Sequence, residues 1–194
     1  HLAALSNDPL GEFNSKLTEE INFRSTIELA KLSKESKVKR FIYISSQSMY
    51  GISETDEELD EEYSSKNPIT EYAKTKWKAE CFLKEYNSEN FSIVSFRPST
   101  VFGASPRLRC DIVFNNFVAC AYTTGLIEIK SDGSPWRPVI HVKDVCKAII
   151  AGLIAPEKII KAKSFNIGIK NGNFNVRDLA LSLIHISEPT RPLH

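Results

Sequence analysis

Phe41-Ile42-Tyr43-Ile44-Ser45-Ser46-Gln47-Ser48-Met49-Tyr50-Gly51 is the stretch on which the fold turns. It opens on a short apolar run, led in by the basic residues Lys37 to Arg40, and Gly51 closes it. Apolar side chains at successive positions imply a strand covered on both faces. After Pro68, residues 70 to 86 carry Tyr72, Lys76, Ala79 and Leu83 at helical spacing. Phe91-Ser92-Ile93-Val94-Ser95-Phe96-Arg97, stopped by Pro98, reads as the next strand.

Working outward, residues 16 to 33 bring Leu17, Ile21, Phe23, Ile27, Leu29, Ala30 and Leu32 into a broad helical stripe. Downstream, a loop over residues 103 to 109 leads into a helix from about Asp111 to Thr124, with Gly125 as its C-cap. Ile127-Glu128-Ile129 reads as a short strand before the Asp132-Gly133 turn. Val139-Ile140-His141-Val142 is extended, Asp144 caps a helix to about Ala155, and Phe165-Asn166-Ile167 is a last short strand. Strand and helix alternate, so the expected class is α/β with a mostly parallel sheet. Glu54 to Glu62, dense in carboxylates, reads as a solvated loop.

The 194 residues are 42% hydrophobic and 25% charged, which excludes a disordered chain. A net charge of +1 gives no field to attract nucleic acid or an acidic membrane. No apolar run approaches the roughly 18 residues of a membrane span, so a cytoplasmic location is expected. Cys81, Cys110, Cys120 and Cys146 match no metal or redox spacing. His1-Leu2-Ala3-Ala4 reads as the cut end of a buried strand, hence a fragment. Residues 181 to 194, with His185 and His194, read as a non-native tail derived from a sequencing adaptor.

Chemistry concentrates at Tyr72-x-x-x-Lys76, one helical turn apart and downstream of a strand ending in serines. A phenol near its reference pKa of about 10 is a poor proton carrier at neutral pH. An ammonium one turn away favours the phenolate, which makes Tyr72 a candidate proton shuttle. A serine hydroxyl at the strand end can bond the same substrate oxygen.

Six motifs in order resemble the extended short-chain dehydrogenase/reductases, in their nucleotide-sugar epimerase/dehydratase branch. His1-Leu2-Ala3-Ala4 is similar to the end of that family's fourth strand. Asn22-Phe23-Arg24-Ser25-Thr26 resembles N-x-x-G-T with Ser for Gly. Ser45 to Gly51 resembles S-S-x-x-V-Y-G, and Tyr72 with Lys76 its active pair. Arg97 to Gly103 resembles R-P-x-x-V-Y-G, and Arg137 to Asp144 resembles R-x-x-I-H-V-x-D.

The resemblance implies Ser46 as the substrate-orienting hydroxyl, Tyr72 as acid/base, Lys76 as its modulator and a ribose contact, and Asn22 as holder of a water behind the lysine. It implies cofactor contacts at Tyr72, Lys76 and Pro98, and substrate contacts at Ser46, Ser48, Asn116 and Arg137. The guanidinium of Arg137 suits a diphosphate. Arg107 and Arg109 read as solvated, His141 as packed and Asp144 as a cap.

Two departures matter. Dehydratases of the family follow the hydroxyl with Asp-Glu, and decarboxylases place Glu two positions after it, because a second proton must move. Here Gln47 and Ser48 stand there, which favours an epimerase or keto-reductase. None of the eight glycines forms G-x-x-G-x-x-G, the cofactor's pyrophosphate loop.

The expected architecture is therefore a Rossmann-type, doubly wound parallel sheet, incomplete here, with a small substrate-binding α/β portion. Residues 1–103 belong to the dinucleotide domain and 104–180 mostly to the substrate portion, with segments returning to the first. The expected cofactor is NAD, NADP remaining open, and the expected partners are a nucleotide sugar and a second copy of the chain. The rivals are a reductase of a non-nucleotide carbonyl and a non-catalytic dinucleotide-binding regulator. Trp77 and Cys81 lie on another face than Tyr72, either at a seam between copies or packed on their own chain.

Overall fold

A computed structural model describes residues 1–6, 8–52 and 58–187. The Glu54–Glu62 loop and the 181–194 tail thus lie partly outside the described residues, the side chain of His185 and all of His194 among them. The chain runs α1 (Asp8–Phe13), α2 (Ser15–Glu19), α3 (Ser25–Glu35), β1 (Arg40–Ile44), α4 (Glu71–Glu85), β2 (Ser92–Pro98) and β3 (Thr100–Phe102). It continues through α5 (Val113–Thr124), β4 (Trp136–His141), α6 (Val142–Ile154), α7 (Glu157–Ile160), β5 (Ser164–Ile167), β6 (Asn173–Asn175) and α8 (Val176–Ser187). Two compact units result: His1–Ser99 with Val145–Ile167, and Thr100–Asp144 with Gly168–His194.

In the first unit β1, β2 and β5 form a parallel sheet in that order, Phe41 opposite Ile93 and Phe96 opposite Phe165. Side chains alternate across a strand, so Phe41, Tyr43 and Ile93 face one way, onto Ala30 of α3 and Ala79 and Leu83 of α4. Ile42, Val94 and Phe96 face the other way, onto Ile149 of α6 and Ile160 of α7. Helices cover both faces, as the unbroken apolar run Phe41–Ile44 requires. Gly152 brings α6 close to the sheet, where an added Cβ would lie 2.6 Å from Cζ of Phe96. Beside β1, the His1 amine donates to the Ile42 carbonyl (2.7 Å) and the Ile44 N–H to the His1 carbonyl (3.3 Å). Two bonds straddling one residue are the pattern of a parallel neighbour.

The second unit is a smaller sheet, β3 parallel to β4 and β4 antiparallel to β6. Phe117 of α5 and Leu179, Ala180 and Leu183 of α8 pack on Val139. Leu183 is 7% exposed, so α8 carries this core past residue 180.

The sequence expectations need four corrections. The helix over 16–33 is interrupted by a wide π turn at Glu20–Arg24, because Asn22 turns its amide onto the backbone of Leu5. Residues 127–129 form no strand: β4 is flanked by β3 and β6, and Ile127 and Ile129 pack instead against the Phe117 cluster. Asp144 lies in the first turn of α6 rather than at its cap, since the helix follows β4 without a break. Helix α5 starts at Val113, because Asp111 is held by the Arg109 guanidinium ahead of it. Gly125 does end α5 in the left-handed conformation, at φ 71°.

Candidate active site

β1 ends at Ile44, and Ser46 then caps a single 3-10 turn, Gln47–Tyr50. The Ser48 N–H donates to Ser46 Oγ (3.1 Å), and the two hydroxyls lie 2.9 Å apart. Capping thus fixes the Ser46 side chain at the carboxyl end of a parallel strand, where open α/β sheets bind ligands.

Helix α4 supplies the other groups. Thr70 caps it by accepting from the Ala73 N–H (3.2 Å), which sets its phase against the sheet. Tyr72 is then half-buried, and Lys76 is 3% exposed. The Lys76 ammonium donates to the Ile44 carbonyl (2.8 Å), 4.9 Å from the centre of the Tyr43 ring and 6.0 Å from that of Tyr72. Burial lowers its pKa to about 8. Tyr43 lies beneath it, fully buried, its hydroxyl without a partner among the described residues. Burial above all, then Tyr72 and Glu80, push the Tyr43 pKa well up.

Asn22 stands behind α4, 1% exposed. Its Oδ1 accepts from the Leu5 N–H (2.7 Å), and its amide donates to the Leu5 carbonyl (3.1 Å) and to Thr75 Oγ1 (3.4 Å). It therefore pins the first residues to the helix between Tyr72 and Lys76. Pro98 ends β2 beside Ile167.

These six residues, Asn22, Ser46, Ser48, Tyr72, Lys76 and Pro98, all lie in the first unit. Asn116 and Arg137 lie in the second. Asn116 donates to the Cys110 carbonyl (3.0 Å), and the exposed Arg137 to its neighbour's carbonyl, that of Trp136 (2.9 Å). It is the preceding residue, Asn115, that turns inward: its Oδ1 accepts from the Gly103 N–H (3.2 Å) and its amide donates to the Arg109 carbonyl (3.0 Å). His141 packs edge-on against Phe102, their ring centres 5.3 Å apart.

A model of the NAD dependent epimerase/dehydratase family matches residues 1–168. The chain belongs to that family. Human dTDP-D-glucose 4,6-dehydratase is 32% identical over 171 residues, which cover 88% of this chain and 47% of the human protein. UDP-glucuronate 4-epimerase of Thermodesulfobacterium geofontis is 28% identical over 154 residues, 79% of this chain and 46% of that one. The chain spans about half the length of the curated relatives it matches. MoeE5, solved with UDP-glucuronic acid and NAD, superposes at a TM-score of 0.84 with 23% identity, over 96% of this chain and 61% of that structure. UDP-glucose 4-epimerase of Thermotoga maritima, solved with UDP-glucose, gives 0.83 with 22% identity, over 98% and 61%. These likenesses establish a Rossmann-type α/β fold.

The family's cofactor can be set against the donors present. An ammonium has three N–H donors, and among the described residues a single acceptor meets Lys76, the Ile44 carbonyl. Its burial makes further acceptors favourable, and vicinal ribose hydroxyls would supply them. The nicotinamide riboside end fits these residues. For the pyrophosphate end, none of the eight glycines offers the family's glycine-rich loop.

The sequence did not point to Tyr43, because an aromatic at a buried strand position looks like core. It also left unread the burial of Glu80 and Arg97, which meet across two elements.

Proposed function

We propose that the protein to which this chain belongs is an NAD-dependent epimerase, or keto-reductase, of a nucleotide-activated sugar, with Ser46, Tyr72 and Lys76 at its reacting centre. One observation carries the reading: the Lys76 ammonium is buried against the Ile44 carbonyl, two residues before Ser46 and one turn after Tyr72. A buried charge costs free energy unless partners meet it.

Bound NAD supplies the oxidant for a sugar carbinol and the reductant for the resulting ketone. Tyr72 takes the hydroxyl proton in the first direction and returns it in the second. Lys76 stabilises the phenolate through its charge and bonds the ribose. Ser46 donates to the substrate oxygen, its rotamer held by the Ser48 N–H. Asn22 keeps α4 in place through Thr75. In the second unit, Arg137 and Asn116 serve the nucleotide end of the substrate, and Arg137 suits its diphosphate.

Gln47 and Ser48 favour this outcome over a dehydratase, although the human relative carries a dehydratase name. Eliminating water moves a second proton, and neither an amide nor a hydroxyl is a carboxylate. The cytoplasm and a homodimer complete the reading. Its test is the full-length protein with NAD and a panel of UDP-, dTDP- and GDP-sugars, beginning with UDP-glucose, UDP-glucuronic acid and dTDP-glucose. The expected product is a configurational isomer or a reduced sugar. Release of water to a 4-keto-6-deoxy sugar would overturn the epimerase reading, and no turnover of any member would overturn the whole.

A further inference from the structure

Arg97 of β2 and Glu80 of α4 form an ion pair buried to 2% and 1% exposure. Arg97 Nε lies 3.0 and 3.2 Å from the two carboxylate oxygens, and Nη2 lies 2.5 Å from Oε1. The remaining terminal nitrogen, Nη1, donates to the Tyr50 hydroxyl (2.6 Å) and the Glu61 carbonyl (3.0 Å). Both partners are tied on to β5: Ser164 Oγ donates to Glu80 Oε1 (2.7 Å), and the Tyr50 hydroxyl to Asn166 Oδ1 (2.9 Å). The indole of Trp77 lies 5.7 Å from the guanidinium, so this side chain packs on its own chain.

The two anchors are placed alike with respect to the reacting centre. Glu80 follows Lys76 by four residues, one helical turn, and Tyr50 follows Ser46 by four, at the end of the turn that Ser46 caps. One guanidinium thus holds the helix of Tyr72 and Lys76 and the turn of Ser46 at once. We propose that Arg97, with Glu80 and Tyr50, is a positioning device that fixes the Ser46 hydroxyl relative to Tyr72. This rests on the site assignment above.

Two features of the chemistry support it. The apolar contact between α4 and the sheet is made largely by Ala79 and Leu83, and dispersion is non-directional, so it sets how closely the helix packs but not the orientation of the groups it carries. A planar fork bonded on both sides fixes direction as well as distance. Moreover, a buried ion pair adds little stability over an apolar pair of similar volume, so stability alone gives a weak reason for one here. A serine and a tyrosine that must meet the same substrate oxygen need placement to about 0.5 Å.

The test uses the full-length protein and whichever of UDP-glucose, UDP-glucuronic acid or dTDP-glucose it turns over. Tyr50→Phe removes one hydroxyl and keeps the ring. It should lower kcat by about 10- to 100-fold, with KM within a factor of two or three. In a Ser46→Ala background the same change should cost almost nothing further, because the hydroxyl it positions is gone. Arg97→Met alone strands Glu80, so the paired variant Arg97→Met/Glu80→Leu is the second probe. It should fold, melt near the parent, and repeat the kcat loss. Hydrogen exchange at the amides of Gln47–Tyr50 should rise in both variants, a readout that needs no turnover. Full kcat in Tyr50→Phe, losses that multiply in the Ser46→Ala background, or unchanged exchange would each overturn the proposal. Full turnover in Ser46→Ala or Tyr72→Phe would instead overturn the site assignment, and a separate result therefore marks each failure.

Discussion

The Lys76 ammonium donates to the Ile44 carbonyl across 2.8 Å, joining the middle of a helix to the last residue of a strand. The ammonium sits at 3% exposure, and that burial lowers its pKa to about 8, against 10.5 for a free lysine. Between those values the unfolded chain keeps a proton that the folded chain has shed. Stability therefore rises with pH across the window and is lowest, as far as this group is concerned, below it. Without NAD bound, the difference in unfolding free energy between parent and Lys76→Met should shift by on the order of 3 kcal/mol in the parent's favour from pH 7 to pH 11. Denaturant titrations at several pH values measure it, and a constant difference would refute the lysine's burial.

Tyr72→Phe keeps the half-buried ring and removes the proton carrier. In the full-length protein turnover should fall by about 10²- to 10⁴-fold with substrate affinity nearly unchanged. Steady-state kinetics on the active nucleotide sugar decide it, and near-normal turnover would end the mechanism.

Arg137 gives one hydrogen bond to its neighbour's carbonyl and is otherwise exposed. If its partner is a diphosphate remote from the reacting carbon, Arg137→Ala should raise KM by about 10- to 100-fold and leave kcat within a few-fold. The reverse pattern would place Arg137 at the chemistry instead.

Much of the first unit was legible. The run Phe41–Ile44 is apolar at successive positions because both faces of the sheet are covered, and Phe91–Arg97 shows its strand character through Ile93, Val94 and Phe96. Tyr72 and Lys76 were legible because helical spacing puts them one turn apart. The π turn was not, since nothing local in Glu20–Arg24 distinguishes it from α-helix and its cause, the Leu5 backbone, lies 17 residues from Asn22. Nor could sequence say which of Asn115 and Asn116 turns inward, because that depends on where α5 begins, and Arg109 takes Asp111 out of the helix. Ile127–Ile129 has strand character with no strand to pair with. Glu80 and Arg97 each look like surface residues until two elements bring them together.

Gly152 sits where α6 presses on the sheet, 2.6 Å being the separation a new Cβ would have from Cζ of Phe96 and 3.3 Å from Cδ1 of Ile42. Gly152→Ala gains about 1 kcal/mol of helix propensity, yet the crowding should cost about 1–3 kcal/mol. The net loss should appear as a lower denaturation midpoint with an unchanged slope, and a stabilised variant would show that α6 stands further off.

Side chains four apart on an α-helix advance about 40° beyond a full turn, so eight residues accumulate about 80°. Thr18, Asn22 and Thr26 are spaced in that way, and all three are at 0–1% exposure. The π turn at Glu20–Arg24 winds more residues into each revolution and takes up the drift, keeping the three polar groups in one column. A regular α-helix through the same residues would set Thr26 about 80° round from Thr18, so the column depends on the wide turn itself. In this stretch the winding of the backbone is itself structural information, and it lines up polar groups that side-chain identity alone would leave on different faces.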